Sequence, residues 1–261
     1  MRTFRELHSG DVPLVLPNAW DLGSALAFAT ADFPAIGTTS FGLAASAGLP
    51  DGHGGTKAAT MNLAGPLCRL PVHITLDIED GYSDDPSEVA EFVADLAALG
   101  VAGVNLEDSV NGHLVEPSTF AQKVDAVKRT SPNIFINARV DNLWFHEQAT
   151  IEAVLLRSRT YAEAGADGIF VPGLSRSEDI RIVTTALELP VNVLAHPTLT
   201  VAELGRLGVR RISSGSLAYR AAIDAAVSVA RTLRENGQLR PATSYWEMQK
   251  LLETFNQGAD D

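Results

Sequence analysis

The chain has 261 residues, of which 46% are hydrophobic and 20% charged, an ordinary balance for a folded domain with ample core. A formal net charge of -12 at pH 7 argues against nucleic acid or an anionic membrane as partner, since both require a basic face. Cys68 is the single cysteine, which excludes an internal disulfide, and no apolar run approaches membrane-spanning length; a cytoplasmic location is expected.

In chain order, apolar segments entered through proline predict strands at Pro13–Pro17, Pro34–Gly37, Pro71–Ile78, Pro132–Asn137 and Pro190–Leu194. Three more follow a glycine that ends a helical stretch: Val101–Glu107 after Gly100, Ala166–Pro172 after Gly165, and Val209–Gly215 after Gly208. Helices are predicted between them. Ser87–Leu99 places Val89, Phe92, Val93, Leu96 and Leu99 on one face, and Ser118–Arg129, Ile151–Ala164, Ser177–Leu187 and Thr200–Leu207 behave likewise. A long Ala-rich helix, Leu217–Glu235, and a further one, Tyr245–Phe255, lie outside the repeat. Strands alternating with helices define an α/β protein with a parallel sheet, and eight strands predict a (β/α)8 TIM-like barrel, a single domain over residues 1–261.

In such barrels the chemistry sits at the C-terminal strand ends. The third strand runs into Asp77-Ile78-Glu79-Asp80, and period-two alternation predicts Asp77 and Glu79 on one face. Glu107 ends the neighbouring strand at a similar height. Buried carboxylates are costly unless paired, and Mg2+ is the simplest partner for this set. Arg139 at the end of strand five offers a forked donor to a carboxylate or phosphate, or a salt bridge to one of those acids. Thr39 and Ser40 supply neutral donors. Trp20 either caps the mouth or stacks on a substrate. Cys68 reads as inert packing, and His196 as a histidine satisfied beside a proline.

These segments resemble the isocitrate lyase / phosphoenolpyruvate mutase superfamily. The resemblance is carried by Pro17-Asn18-Ala19-Trp20-Asp21, Gly37-Thr38-Thr39-Ser40, Asp77-Ile78-Glu79-Asp80-Gly81-Tyr82, Gly103-Val104-Asn105-Leu106-Glu107-Asp108 and Asn137-Ala138-Arg139, in order from about Leu14 to Arg220. It implies a barrel whose last helix is exchanged with a neighbouring subunit in a homodimer or homotetramer, which would put residues 217–261 in oligomer contacts. It also implies Mg2+, with Mn2+ as the alternative, and a small 2-oxo or 2-hydroxy carboxylate as substrate. Asp77, Glu79 and Glu107 match the metal-site acids, Arg139 the substrate-gripping arginine, Thr39, Ser40 and Phe41 the anion-holding segment, and Asp51 a structural or gating aspartate.

The loop after strand four departs from the family pattern. Isocitrate and methylisocitrate lyases carry Lys-Lys-Cys-Gly-His there, whereas this chain has Asp108-Ser109-Val110-Asn111-Gly112-His113-Leu114, and strand six ends Val171-Pro172-Gly173 without a histidine. Asn111 and His113 are the polar residues that such a loop could deliver to catalysis, with Gly112 as a hinge. The expectation is a Mg2+-dependent carbon–carbon lyase working through an enolate. Oxaloacetate-type hydrolysis or decarboxylation, phosphorus–carbon chemistry and non-catalytic 2-oxo-acid binding are the alternatives.

Overall fold

A computed structural model describes residues 2–258. Its first strand is split by Pro17, which has no N–H to give to a ladder. β1 (Leu14–Leu16) and β2 (Asn18–Ala19) flank that proline. They are followed by β3 (Ala35–Thr38), β4 (His73–Asp77) and β5 (Gly103–Glu107). A small antiparallel hairpin of β6 (Ser109–Val110) and β7 (His113–Leu114) intervenes. The chain then returns through β8 (Phe135–Arg139), β9 (Gly168–Phe170), β10 (Val191–Leu194) and β11 (Arg211–Ser213). The sheet order is β1-β11-β10-β9-β8-β5-β4-β3-β2, parallel throughout. Because β1 pairs with β11 while β2 pairs with β3, one chain segment joins both edges. Counting that segment once, the nine strands are the eight expected of the barrel.

Helices α1 (Leu22–Ala29), α2 (Ser40–Ser46), α3 (Lys57–Cys68), α4 (Pro86–Ala98), α5 (Pro117–Thr130), α6 (Ile151–Glu163), α7 (Ser177–Ala186) and α8 (Val201–Arg206) connect the strands. Their starts are set by side chains that take orphan amides. Asp21, Asp85, Thr150 and Thr200 each accept a backbone N–H from the first turn that follows. Gly100 and Gly165, at φ +100° and +102°, turn the chain out of α4 and α6 at a backbone angle that a β-carbon would strain. The main core lies between sheet and helices: Ile74, Leu76, Val104, Leu106 and Ile136 pack under Val89, Phe92, Leu96, Phe120 and Val124. Cys68, half-buried at the end of α3, has its thiol pushed up to about 11 by burial, which leaves it unreactive.

The barrel interior is less conventional. Alternate residues of the strands place Thr75, Asn105, Asn137, Asn192 and Arg211 in its middle, all buried, where branched apolar side chains are usual. Arg211 Nη2 and Asn137 Nδ2 both donate to Asn105 Oδ1, at 3.1 and 2.9 Å. Burial pulls the Arg211 guanidinium down to about 9.

Below this layer, Phe4, Leu14, Leu16, Ala35 and Phe135 plug the N-terminal end. His8 stacks on Phe135 at 4.3 Å and donates Nδ1–H to the Phe4 carbonyl. Burial first, then the nearby Arg211 charge, holds His8 neutral down to about pH 3, against 6.5 in the unfolded chain. Between those values the unfolded state binds the extra proton, so this residue's contribution falls as pH falls. The loss should amount to about 1.4 kcal/mol per pH unit below 6.5. Urea unfolding at pH 7.5 and pH 5 should therefore show a smaller acid-side loss in His8→Gln than in wild type.

Beyond the barrel, α9 (Leu217–Arg234) buries none of its side chains, and Ile223, Val227 and Leu233 are exposed along it. α10 (Tyr245–Gln257) returns to the barrel: the Arg69 guanidinium sits 4.0 Å from the Phe255 ring centre and donates to its carbonyl. Among the described residues, no helix is long and apolar enough to cross a membrane.

Candidate active site

A cavity of about 460 Å3 opens at the C-terminal ends of the barrel strands. On one side it is lined by Thr39, Ser40, Asp51, Asp77, Asn105 and Arg139. Asp77 is the last residue of β4, and its backbone N–H donates to Thr38 Oγ1. Ser40, at the start of α2, points its hydroxyl and amide at Asp77 Oδ2, at 3.1 and 3.4 Å. Thr39 caps the same helix by accepting the Gly42 amide. Both hydroxyls therefore serve the protein frame, while their residues still form the cavity wall.

Arg139, at the end of β8, is held at two points. Nη1 meets Glu107 Oε2 at 2.6 Å and Nε meets Asp141 Oδ1 at 2.7 Å. Asp141 is fixed in turn by the Ser109 hydroxyl and, through its own amide, by Asp108. An outer layer locks Asp108 against Arg157 and Tyr161, at 3.0 and 2.6 Å. Burial opposes the Arg139 charge, but Asp141, Glu107 and Asp77 together hold its proton more firmly than usual. The remaining guanidinium N–H groups stay available to a ligand, because the fork has five donors.

Negative charge is in excess here. Burial raises the Glu107 carboxyl well above its ordinary value; Arg139 works against that rise, and Asp141, Asp77 and Asp51 add to it. Burial likewise lifts Asp77 to about 6, opposed by Arg139 and helped by Asp51 and Glu79. Its second oxygen, Oδ1, is buried and has no hydrogen-bond partner among the described residues. A buried carboxylate oxygen left bare beside one overcommitted arginine calls for a further cation. The donor set suits Mg2+, which uses one or two protein carboxylates and completes its shell with water and substrate.

The three expected acids do not, however, converge on one point. Glu79 lies beyond the end of β4 with φ +50°, so the strand alternation that predicts a shared face no longer holds. Its carboxylate turns to the Gly54 amide (2.9 Å) and the Thr56 hydroxyl (2.5 Å), and Thr56 also meets the Tyr82 hydroxyl. Glu107 gives its Oε2 to Arg139. Among the described residues, no three His, Cys, Asp or Glu side chains are grouped to cage a metal ion. Asp77 is the one acid of the three with a fully buried oxygen that no described residue partners. Glu79 and Glu107 line a second, smaller cavity of about 210 Å3 with His53 and Asn111.

The remaining predicted residues divide. Phe41 lines the main cavity, half-exposed. Trp20 does not; it packs edge-on against Tyr219 at 5.4 Å, and a β-carbon on Gly42 would strike it at 2.8 Å, so its part is structural. Asn111 accepts from His53 Nδ1 at 2.9 Å, a bond that ties the loop after β5 to the loop before α3. His113 is 85% exposed on the β6–β7 hairpin, 3.7 Å from Glu147, and lines neither cavity. His113→Ala is accordingly expected to leave turnover within about twofold, a surface change, when wild type and variant are assayed side by side. His196 lines the main cavity with both ring nitrogens engaged: Nε2 donates to the Ser175 carbonyl, and Nδ1 accepts from Thr198 and Leu199.

The fold also brings here residues outside those predicted from sequence. Asp141 was legible from the alternation Asn137, Arg139, Asp141. His53 and Arg220 carried no local signal.

Residues 4–234 match the family model described as phosphoenolpyruvate phosphomutase. The chain belongs to that family, within the isocitrate lyase / phosphoenolpyruvate mutase superfamily of Mg2+-dependent lyases and mutases of carbon–carbon and phosphorus–carbon bonds, and is an enzyme of that type. It is 44% identical to the uncharacterised protein Rv1998c of Mycobacterium tuberculosis over 253 residues, 97% of both chains. It is 28% identical to a 2-methylisocitrate lyase of Halalkalibacterium halodurans over 97% of this chain and 88% of that one. Among solved structures, phosphonopyruvate hydrolase in complex with oxalate and Mg2+ shares the fold with a TM-score of 0.85, at 23% identity over 98% of this chain and 95% of that one.

Proposed function

We propose that the protein is a Mg2+-dependent lyase that cleaves, or in reverse forms, a carbon–carbon bond of a small 2-oxo or 2-hydroxy carboxylate. The observation that carries this reading is the bare, buried Oδ1 of Asp77, a residue of the same cavity wall that carries Arg139. Asp77 would hold the metal, with Glu79 and Glu107 acting through water. Bound there, Mg2+ would supply a fixed positive charge for the substrate's oxygen and carboxylate as negative charge develops.

The chain's own residues do the rest. Arg139 presents its uncommitted N–H groups to a substrate carboxylate, and its two carboxylate partners prevent the fork from rotating. Ser40 keeps Asp77 in one orientation through Oδ2. Arg220, at the mouth of the cavity with its Nε given to Ser216, is the second cation available to a dicarboxylate. The loop bearing Asn111 is pinned to His53 at the smaller cavity.

The test is a panel of 2-oxo and 2-hydroxy di- and tricarboxylates with Mg2+, followed by NMR. Pyruvate or glyoxylate appearing together with a second acid is the expected result. Oxalate with acetate would replace the reading with hydrolysis of an oxaloacetate-like acid, which needs no loop cysteine.

We also propose a homodimer or homotetramer in which a second copy covers α9, because that helix leaves Ile223, Val227 and Leu233 exposed. Light scattering should give a multiple of 27.7 kDa; a monomer would refute it.

A further inference from the structure

We infer that the substrate carries an apolar chain beyond its 2-oxo or 2-hydroxy carboxylate head, and that the wall opposite Asp77 receives it. This rests on the functional reading above. Three charged groups of the main cavity, Asp51, Asp77 and Arg139, come from the β3–β8 part of the barrel, and a fourth, Arg220, stands at the mouth on α9. Across the barrel from β4 lie Leu194 and Pro197, flanked by Pro172, Leu217 and Trp144 and by the serines Ser213, Ser214 and Ser216, while Phe170 lies beside Arg139, its ring centre 5.9 Å from the guanidinium. This second wall is assembled from separate parts of the chain, namely the loop after β8, the ends of β9 and β10, and the start of α9. Its apolar character is therefore a property of the assembled site rather than of one segment.

Size points the same way. At about 460 Å3 the cavity falls within the range of sites that enclose drug-sized ligands, far more than a three-carbon acid fills. At the end of β9 stands Pro172, with no polar group to offer. His196 has both nitrogens occupied by backbone groups and has nothing left to hold a polar substituent, and Arg220, one turn beyond Leu217, gives its Nε to Ser216 at the mouth. Trp144 and Leu217 are each 48% exposed at the mouth, apolar surface that a ligand's chain would remove from water. A head group held by charge and a tail held by apolar contact make an amphipathic 2-oxo or 2-hydroxy acid the ligand that fits both walls.

The experiment is calorimetric titration of the full chain with Mg2+ and oxalate, then with pyruvate, 2-oxobutanoate, 2-oxopentanoate, 2-oxohexanoate and 4-methyl-2-oxopentanoate. Affinity should rise by about fourfold per methylene that enters the apolar wall. Trp144→Ser, a substitution at the exposed mouth, should flatten that rise while leaving the oxalate affinity unchanged; Leu194→Asn provides a second, independent probe of the same wall. If oxalate binds and affinity stays flat or falls with chain length, the apolar-chain inference is overturned and the head-group site stands. Should neither oxalate nor any 2-oxo acid bind, the functional reading itself fails and takes the inference with it.

Discussion

Arg139→Met is expected to abolish turnover and to cost about 3–5 kcal/mol of stability, the usual consequence of removing one partner from a buried ion pair. Two carboxylates depend on this guanidinium, Glu107 at 2.6 Å and Asp141 at 2.7 Å. Methionine fills much of the volume but leaves both acids without a cation. Arg139→Lys restores the charge without the fork, so it should recover much of the stability and little of the activity. Urea unfolding and product NMR on the three proteins separate the two effects. A methionine variant as stable as wild type would show that the buried acids do not rely on Arg139.

Asp77→Asn should lower turnover by about 10²–10³, the scale on which one preorganised electrostatic group is felt. It should also remove the stabilisation that Mg2+ gives wild type. The stability effect without metal has the opposite sign. The folded protein holds Asp77 at about 6, above the unfolded value of 3.8. Across that interval the native state binds the extra proton, so this group's contribution falls as pH rises and is lowest above 6. Asparagine removes the buried charge, keeps an acceptor for Ser40 and places an amide where Oδ1 is now bare. In EDTA at pH 8 the variant should therefore melt above wild type, with the gap closing near pH 4. Melting curves at the two pH values check both the sign and the window.

The barrel was readable because its strands are punctuated. Proline before five of them and glycine before the other three divide the chain into repeats, and the helix faces follow from apolar spacing. α1, α2 and α3 were less visible. They are short or weakly patterned, and α3 carries Pro66 near its end. The split of the first strand at Pro17 also needed the closed sheet to become meaningful, since its two halves pair with strands far apart in sequence.

The site was half legible. Asp77, Glu107 and Arg139 lie on strands, where alternation decides direction, and all three reach the expected region. Glu79 defeats the same rule because it stands just past the strand in a left-handed backbone conformation, a turn that its residue type does not announce. The partners that decide chemistry are further away still. His53 meets Asn111 across 58 positions of sequence, and Arg211 reaches Asn105 across 106. Such contacts are made by closure of the barrel, and no local pattern encodes them.

The central claim is a 2-oxo acid site completed by Mg2+ at Asp77. Titration of wild type with oxalate, in the presence of Mg2+ and then of EDTA, addresses it most directly. Saturable binding is expected with Mg2+, none in EDTA, and none with Mg2+ in Asp77→Asn. Equal oxalate affinity in EDTA, or unchanged Mg2+-dependent binding in the variant, would contradict it.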